Sequence, residues 1–269
     1  MNISVVIPTY NRYELLKRAI SSLYAQTYLP QEIIVINDGS TDDTHQIKKD
    51  FPNIIYIYQE NRGVSSARNV GIKRVQNKWV TFLDSDDEWH PEKLQKQVTF
   101  HRGNPEILMS YTDEIWIRDG KEIKIPKKFQ KIGRDAFIEN LSYCNIAPSS
   151  VLMHQKIFEE VGCFDEDLEV CEDYDLWLRI ALKFSIGLLD EKLIIKYAGH
   201  EDQLSFKHWG MDRFRVIALE KLLKCKSSRL VEIEDELVKK YRLLLKGALK
   251  YSKLEDIQYY TKRLEQLKN

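Results

Sequence analysis

The chain carries no net charge: 41 Lys and Arg balance 41 Asp and Glu over 269 residues, and the isoelectric point lies near 7.0. A protein that grips polynucleotide phosphates shows a basic surplus, so nucleic acid is not an expected partner. Cysteine is scarce, with four residues. Cys144, Cys163, Cys171 and Cys225 form no CxxC pair and stand at no zinc-site spacing with histidine, which reads as reduced thiols. No stretch reaches the roughly 18 apolar residues that cross a bilayer. The start, Met1-Asn2-Ile3-Ser4-Val5-Val6-Ile7-Pro8, lacks a basic leader with a long apolar region, so a strand and a cytoplasmic location are expected. Neither G-x-G-x-x-G nor G-x-x-x-x-G-K-[ST] occurs, which weighs against dehydrogenase and phosphate-loop readings.

What is present is an ordinary globular composition, 43% hydrophobic and 30% charged, arranged in alternating patterns. Short apolar runs at 3–7, 32–36, 54–58 and 79–83 read as buried strands, each ending in polar residues. Between them lie helical segments, the first with Leu15, Leu16, Ala19, Ile20 and Leu23 on one face. Such alternation predicts a parallel sheet with right-handed crossovers. It brings Thr9, Asp38, Gly63 and Asp84 to one sheet edge, one after each strand. After a helix at 91–102 the pattern loosens. A strand at 107–111, a hairpin over 114–125 turning at Asp119-Gly120 and a helix at 134–141 come first. A strand at 151–153, helices at 155–161 and 172–180, and strands at 186–189 and 193–197 follow. From Trp209 only helices are expected, at 211–223, 230–249 and 254–267. The tail from Asp212 carries about six more basic than acidic residues, so the body is correspondingly acidic.

The chain is organised around Val80-Thr81-Phe82-Leu83-Asp84-Ser85-Asp86-Asp87-Glu88-Trp89. A buried strand there delivers carboxylates to the sheet edge where open α/β folds place ligands. In extended chain Asp84 and Asp86 point the same way, and a divalent cation carrying a polyphosphate would relieve their repulsion. Oxygen donors favour Mg or Mn over zinc. The alternative is an acidic loop that caps the helix near Pro91. Asp38-Gly39-Ser40 is good turn chemistry in its own right, and Glu172-Asp173 suits the positive end of a helix.

Several of these stretches together resemble the inverting nucleotide-sugar glycosyltransferases of family 2, over residues 3–197. Ser4-Val5-Val6-Ile7-Pro8-Thr9-Tyr10-Asn11 is similar to that family's opening strand, and Asn37-Asp38-Gly39-Ser40-Thr41-Asp42 to its second loop. Ala67-Arg68-Asn69-Val70-Gly71 stands where the family has its third helix. Phe82-Leu83-Asp84-Ser85-Asp86-Asp87 matches its DxD motif, and Glu172-Asp173-Tyr174-Asp175-Leu176-Trp177 resembles its ED motif. The resemblance implies an α/β fold of GT-A type, a mostly parallel nucleotide-binding sheet flanked by helices with a C-terminal helical extension. Residues 1–208 would be the transferase domain, with a nucleotide-binding half at 1–102 and an acceptor half at 103–208, and 209–269 the extension.

By the same resemblance, Pro8, Thr9, Tyr10 and Asp38 hold the nucleobase and ribose, with Arg68, Asn69 and Ser85 near the nucleotide. Asp86 binds Mn or Mg, Asp84 contacts ribose or a metal-bound water, and His200 touches metal or diphosphate. Asp173 is the base that takes the acceptor proton, and Glu172 and Trp177 lie beside the sugar or the acceptor. The donor is a UDP-sugar by default, with dTDP and GDP open. The acceptor is a hydroxyl of a glycan, lipid-linked or other glycoconjugate, as in surface polysaccharide or lipopolysaccharide synthesis. Two rival readings are a catalytically silent nucleotide-sugar-binding subunit and a sugar-phosphate nucleotidyltransferase, although the latter needs a basic glycine-rich loop where Pro8-Thr9-Tyr10-Asn11 stands. The C-terminal helices are expected to pack on the body, pair two subunits, or meet the inner face of a membrane.

Overall fold

The computed structural model describes residues 1–199, 210–225 and 227–267. The first strand, β1 (Ile3–Thr9), is buried along its whole length. Its alternation explains why a continuous apolar run is needed. Ile3, Val5 and Ile7 pack toward Leu16, Ala19, Ile20 and Leu23 of α1 (Tyr13–Tyr24), while Val6 packs toward the opposite layer. A strand covered on both faces has no polar side to show.

β2 (Glu32–Asp38) and β3 (Ile55–Gln59) extend the sheet on one side, and β4 (Trp79–Phe82) on the other. These four run parallel in the order β3-β2-β1-β4, as the alternating pattern predicts. Between β2 and β3 lies a short α2 (Ile47–Asp50), and between β3 and β4 lies α3 (Val64–Arg74). Beyond β4, the sheet continues through a mixed half. β5 (Glu88–Trp89) is followed by α4 (Lys93–Gly103), then β6 (Met109–Arg118) and β7 (Lys121–Ile123). Then come α5 (Ala136–Leu141), β8 (Leu152–His154), α6 (Lys156–Val161), α7 (Glu172–Ala181) and β9 (Ile186–Tyr197). The spatial order after β4 is β8-β6-β9-β5, and among the described residues only β6 and β9 are parallel neighbours there.

Three expectations are corrected. The runs at 107–111 and 114–118 are one strand, β6, whose hairpin to β7 turns at Asp119 and Gly120. Both turn residues have positive φ, 50° and 73°, the backbone of the tight hairpin turn that matches strand twist. The runs at 186–189 and 193–197 are likewise one strand, β9, which passes Asp190 and Glu191 without stopping because irregularities in its pairing with β6 absorb them. Finally, Asp84 and Asp86 do not lie in extended chain, because the backbone closes a turn in which Asp87 N–H donates to the Asp84 carbonyl at 3.0 Å.

The C-terminal helices α8 (Asp212–Leu223), α9 (Leu230–Lys250) and α10 (Leu254–Gln266) pack on the body. Val216, Leu219, Leu222, Ile233 and Leu237 form one cluster with Phe137 and Leu141 of α5 and Tyr174 and Leu178 of α7. α7 therefore lies between two apolar layers, since Leu176, Trp177 and Ile180 face the sheet. Among the described residues no helix is long and apolar enough to cross a membrane.

Candidate active site

Two adjoining cavities open along the edge where β1, β2 and β4 end. They share Pro8, Arg12, Val64 and Ser85 in their walls. The smaller, about 250 Å³, is lined by Pro8, Thr9, Tyr10, Asp38 and Gly63. Asp38 is buried, and its carboxylate is already engaged. Oδ1 accepts from Gln59 Nε2 at 2.7 Å and from Arg62 N–H at 2.9 Å, and Oδ2 accepts from Gly63 N–H at 2.9 Å. Three of the roughly four lone-pair positions on the Asp38 carboxylate are thus taken by the chain itself. Thr9 Oγ1 is buried in the same wall with no hydrogen-bond partner among the described residues. A buried hydroxyl without a partner is costly, and a ligand atom would satisfy it.

The larger cavity, about 400 Å³, is built on the Asp84–Asp87 turn. Ser149 holds that turn from β8's side: its Oγ accepts from Asp84 N–H at 3.0 Å and donates to Asp87 Oδ2 at 2.6 Å. Burial pushes the Asp87 carboxyl well above the usual carboxylate range, while Lys196 pulls it down and the charges of Asp86 and Asp84 add to the rise. Asp86 pairs through Oδ2 with Arg12 at 3.0 Å, and its carbonyl accepts from Arg18 at 2.8 Å. Asp84 pairs through Oδ1 with Arg68 at 2.7 Å.

Arg68 joins the two halves of the site. Its guanidinium also donates to Glu172 Oε1 at 2.6 Å, so one buried cation ties the end of β4 to the start of α7. Burial works against that charge, but Asp84 and Glu172 outweigh it and hold the guanidinium above its ordinary range. Burial, helped by the neighbouring Asp173 charge, pushes Glu172 up to about 7 against the pull of Arg68. Asp173, one residue on, reaches the cavity wall, with Oδ1 accepting from Tyr174 N–H at 2.7 Å. It borders the cavity with Cys144 and Cys171. Burial and the Asp173 charge push Cys171 up to about 12 and Cys144 well above its usual value, which leaves both as protonated thiols.

The structure thus gathers Asp84, Ser85, Asp86, Arg68, Glu172 and Asp173 around one cavity, and Pro8, Thr9, Tyr10 and Asp38 around its neighbour. It does not bring Asn69 or Trp177 there. Asn69 is buried against the 164–166 loop, donating to the Phe164 carbonyl and Glu166 Oε1 at 2.9 Å each. Trp177 is fully buried between Phe164 and the sheet, its Nε1 donating to the Ile146 carbonyl at 2.9 Å, so it is a core side chain. His200 lies outside the described residues. Arg12, Lys196, Trp116 and Phe129, none of them among the residues expected at the site, also line the larger cavity. Lys196 had a readable signal, a lone cation ending the apolar run Leu193-Ile194-Ile195. Trp116 and Phe129 had none, because their hairpin and loop carry no motif.

Among the described residues no three His, Cys, Asp or Glu side chains cluster to hold a metal. The donor set nevertheless suits a hard cation, because Mg and related ions are held by one or two carboxylates with phosphate oxygens and water completing the shell. Asp84 and Asp86 supply two such carboxylates at the cavity edge.

Comparison with known proteins supplies a family for this geometry. The family described as Glycosyl transferase family 2 matches residues 4–162. An uncharacterized glycosyltransferase of Rickettsia prowazekii, RP339, is 33% identical over 207 residues, covering 75% of this chain and 65% of that protein. The chain thus matches less than two thirds of that relative's length. The Escherichia coli UDP-Glc:alpha-D-GlcNAc-diphosphoundecaprenol beta-1,3-glucosyltransferase WfaP is 32% identical over 184 residues, 67% of this chain and 70% of that one. Among solved structures, S. aureus TarS 1–349 in complex with UDP-GlcNAc superposes with a TM-score of 0.73 at 20% identity, covering 89% of this chain and 71% of that one. The mannosyltransferase PcManGT from Pyrobaculum calidifontis, in complex with GDP-Man and Mn2+, gives a TM-score of 0.66 at 17% identity, covering 100% of this chain and 81% of that one.

Proposed function

Because the chain belongs to glycosyl transferase family 2 and has a GT-A type fold, we propose that it moves a sugar from a nucleotide-diphosphate donor, UDP by default, to an acceptor hydroxyl with inversion. The observation that carries this reading is the Arg68 bridge, which sets the Asp84–Asp87 turn and Asp173 on one cavity. The nucleoside occupies the cavity of Thr9 and Asp38, and the diphosphate crosses Ser85 and Arg12, which both cavities share. The names of WfaP and of the TarS complex support a UDP-sugar donor, and WfaP's name supports a lipid-diphosphate-linked acceptor in glycan assembly.

Asp173 accepts the acceptor proton as the new oxygen–carbon bond forms and the anomeric carbon–phosphate oxygen bond breaks. A hydroxyl becomes acidic only as that bond forms, so the carboxylate takes the proton late in the step. Glu172 holds Arg68, and Arg68 in turn holds Asp84. Arg12 and Lys196 place positive charge where the diphosphate departs. Asp86 and Asp84 would hold Mn or Mg, which when bound supplies Lewis-acid neutralisation of the leaving group.

A thermal-shift screen of UDP-, dTDP- and GDP-sugars with and without Mn tests the reading. A cognate donor at about 100 times its Kd stabilises the fold by roughly 2.7 kcal/mol. No shift with any nucleotide sugar would overturn it.

A further inference from the structure

Among the walls of the larger cavity that take no part in holding nucleotide, diphosphate or base, one is aromatic. β6 and β9 pair with Trp116 opposite Lys196, so Glu114, Trp116 and Lys196 rise from one sheet face, and all three line the cavity. Phe129, on the short turn Lys127–Phe129, packs against the Trp116 ring with centroids 5.7 Å apart and planes at 43°. Tyr143 continues the row edge-on to Phe129 at 6.0 Å.

The indole is held in place. Its Nε1 donates to Glu114 Oε1 at 2.6 Å, and Glu114 is itself pinned by Lys131 at 3.1 Å through Oε2. Both Trp116 and Phe129 keep part of their surface open to a cavity whose remaining lining mixes apolar side chains with the carboxylates of Asp84, Asp86 and Asp173, the guanidinium groups of Arg12 and Arg68 and the Lys196 ammonium. A rigid aromatic surface in a chamber that also presents charged groups suits a ligand with one apolar face and a polar rim. A pyranose offers one: its ring face presents C–H bonds while its hydroxyls project from the rim toward carboxylates such as Asp173. An open-chain polyol or a serine hydroxyl has no such face.

We propose that Trp116 and Phe129 form the acceptor subsite and that the acceptor is a pyranose of a glycan, its ring face on the indole and one rim hydroxyl toward Asp173. The assignment rests on the transferase reading above. Nothing in it needs the donor sugar to touch Trp116.

The test is an NMR titration of the Trp116 indole N–H, identified by its loss in Trp116→Leu, with UDP and Mg present. Methyl β-D-glucopyranoside, methyl α-D-mannopyranoside and N-acetylglucosamine are the probes, and ribitol is the linear control. At least one pyranose is expected to move the signal saturably, and ribitol is not. Trp116→Leu and Phe129→Leu should each weaken that pyranose by about tenfold, while Trp116→Phe recovers part of the loss. UDP and UDP-sugar affinities should stay within about twofold in all three variants. If UDP binds but no pyranose moves the signal, if ribitol moves it equally, or if Trp116→Leu leaves pyranose affinity unchanged, the assignment is overturned. It is also overturned if Trp116→Leu weakens UDP-sugar relative to UDP, since that gives the wall to the donor sugar. Failure of UDP itself to bind would instead overturn the transferase reading beneath it.

Discussion

Arg68 is where residue-scale energetics and the proposed chemistry meet. Its side chain is 4% exposed and answers two carboxylates, Asp84 from the end of β4 and Glu172 from the start of α7. Removing one member of a buried ion pair strands the others without solvent, at a cost of roughly 3–5 kcal/mol. Arg68→Leu should therefore lower unfolding free energy by that amount in urea, and a loss below about 1 kcal/mol would mean the bridge is not formed in solution. Asp84 and Asp86 stand out in the sequence because their carboxylate spacing is visible in one dimension, whereas Asp173 stands out only through the resemblance of residues 172–177 to a family motif. Trp177 was not, since a tryptophan in an acidic helix start looks the same whether it faces a ligand or Phe164. Asp38 was legible as the polar end of an apolar run, but its bonds to Arg62 and Gly63 are backbone geometry that no residue pattern encodes.

The elements show why the first four strands were easy to read and the later ones were not. β1, β2 and β4 are buried on both faces and read as uninterrupted apolar runs. β9 carries Asp190-Glu191-Lys192 in its middle, exposed charged residues that split its apolar pattern in two. The close seating of α3 on β1 depends on Gly71, where an added Cβ would meet Val6 Cγ1 at 2.2 Å. Gly71→Ala is expected to cost about 1–3 kcal/mol, and Val6→Ala in the same background to return part of it, measured by urea unfolding. At the α4–β6 junction His101 lies 2.9 Å from the Ile107 carbonyl through Nδ1 and 2.9 Å from Ser110 Oγ through Nε2. Burial lowers its pKa from 6.5 to about 4. The unfolded chain therefore takes up this proton first as pH falls, and the contribution present above pH 6.5 is lost progressively down to about 4. His101→Gln should flatten the fall in stability across that window, and an unchanged slope would contradict the assignment.

At the scale of the whole molecule, α7 is the member on which both halves depend. Its sheet-facing side chains join the core and its outer ones join the C-terminal helices, while Lys221 of α8 pairs with Asp175 at 2.5 Å. The helical tail was legible as amphipathic helices, but its place against α5 and α7 was not, because helical periodicity says which face is apolar and not what covers it. In the proposed mechanism one cavity carries two separable duties, donor binding at the Asp84–Asp87 turn and proton removal at Asp173. The most direct measurement is the rate of UDP release from the cognate UDP-sugar in the presence of acceptor and Mn, run beside UDP calorimetry on the same preparations. Asp173→Asn is expected to bind UDP like the parent and to lose transfer by about 10²–10⁴-fold, while Asp86→Ala loses Mn-dependent UDP binding. Parental turnover in both variants would contradict it.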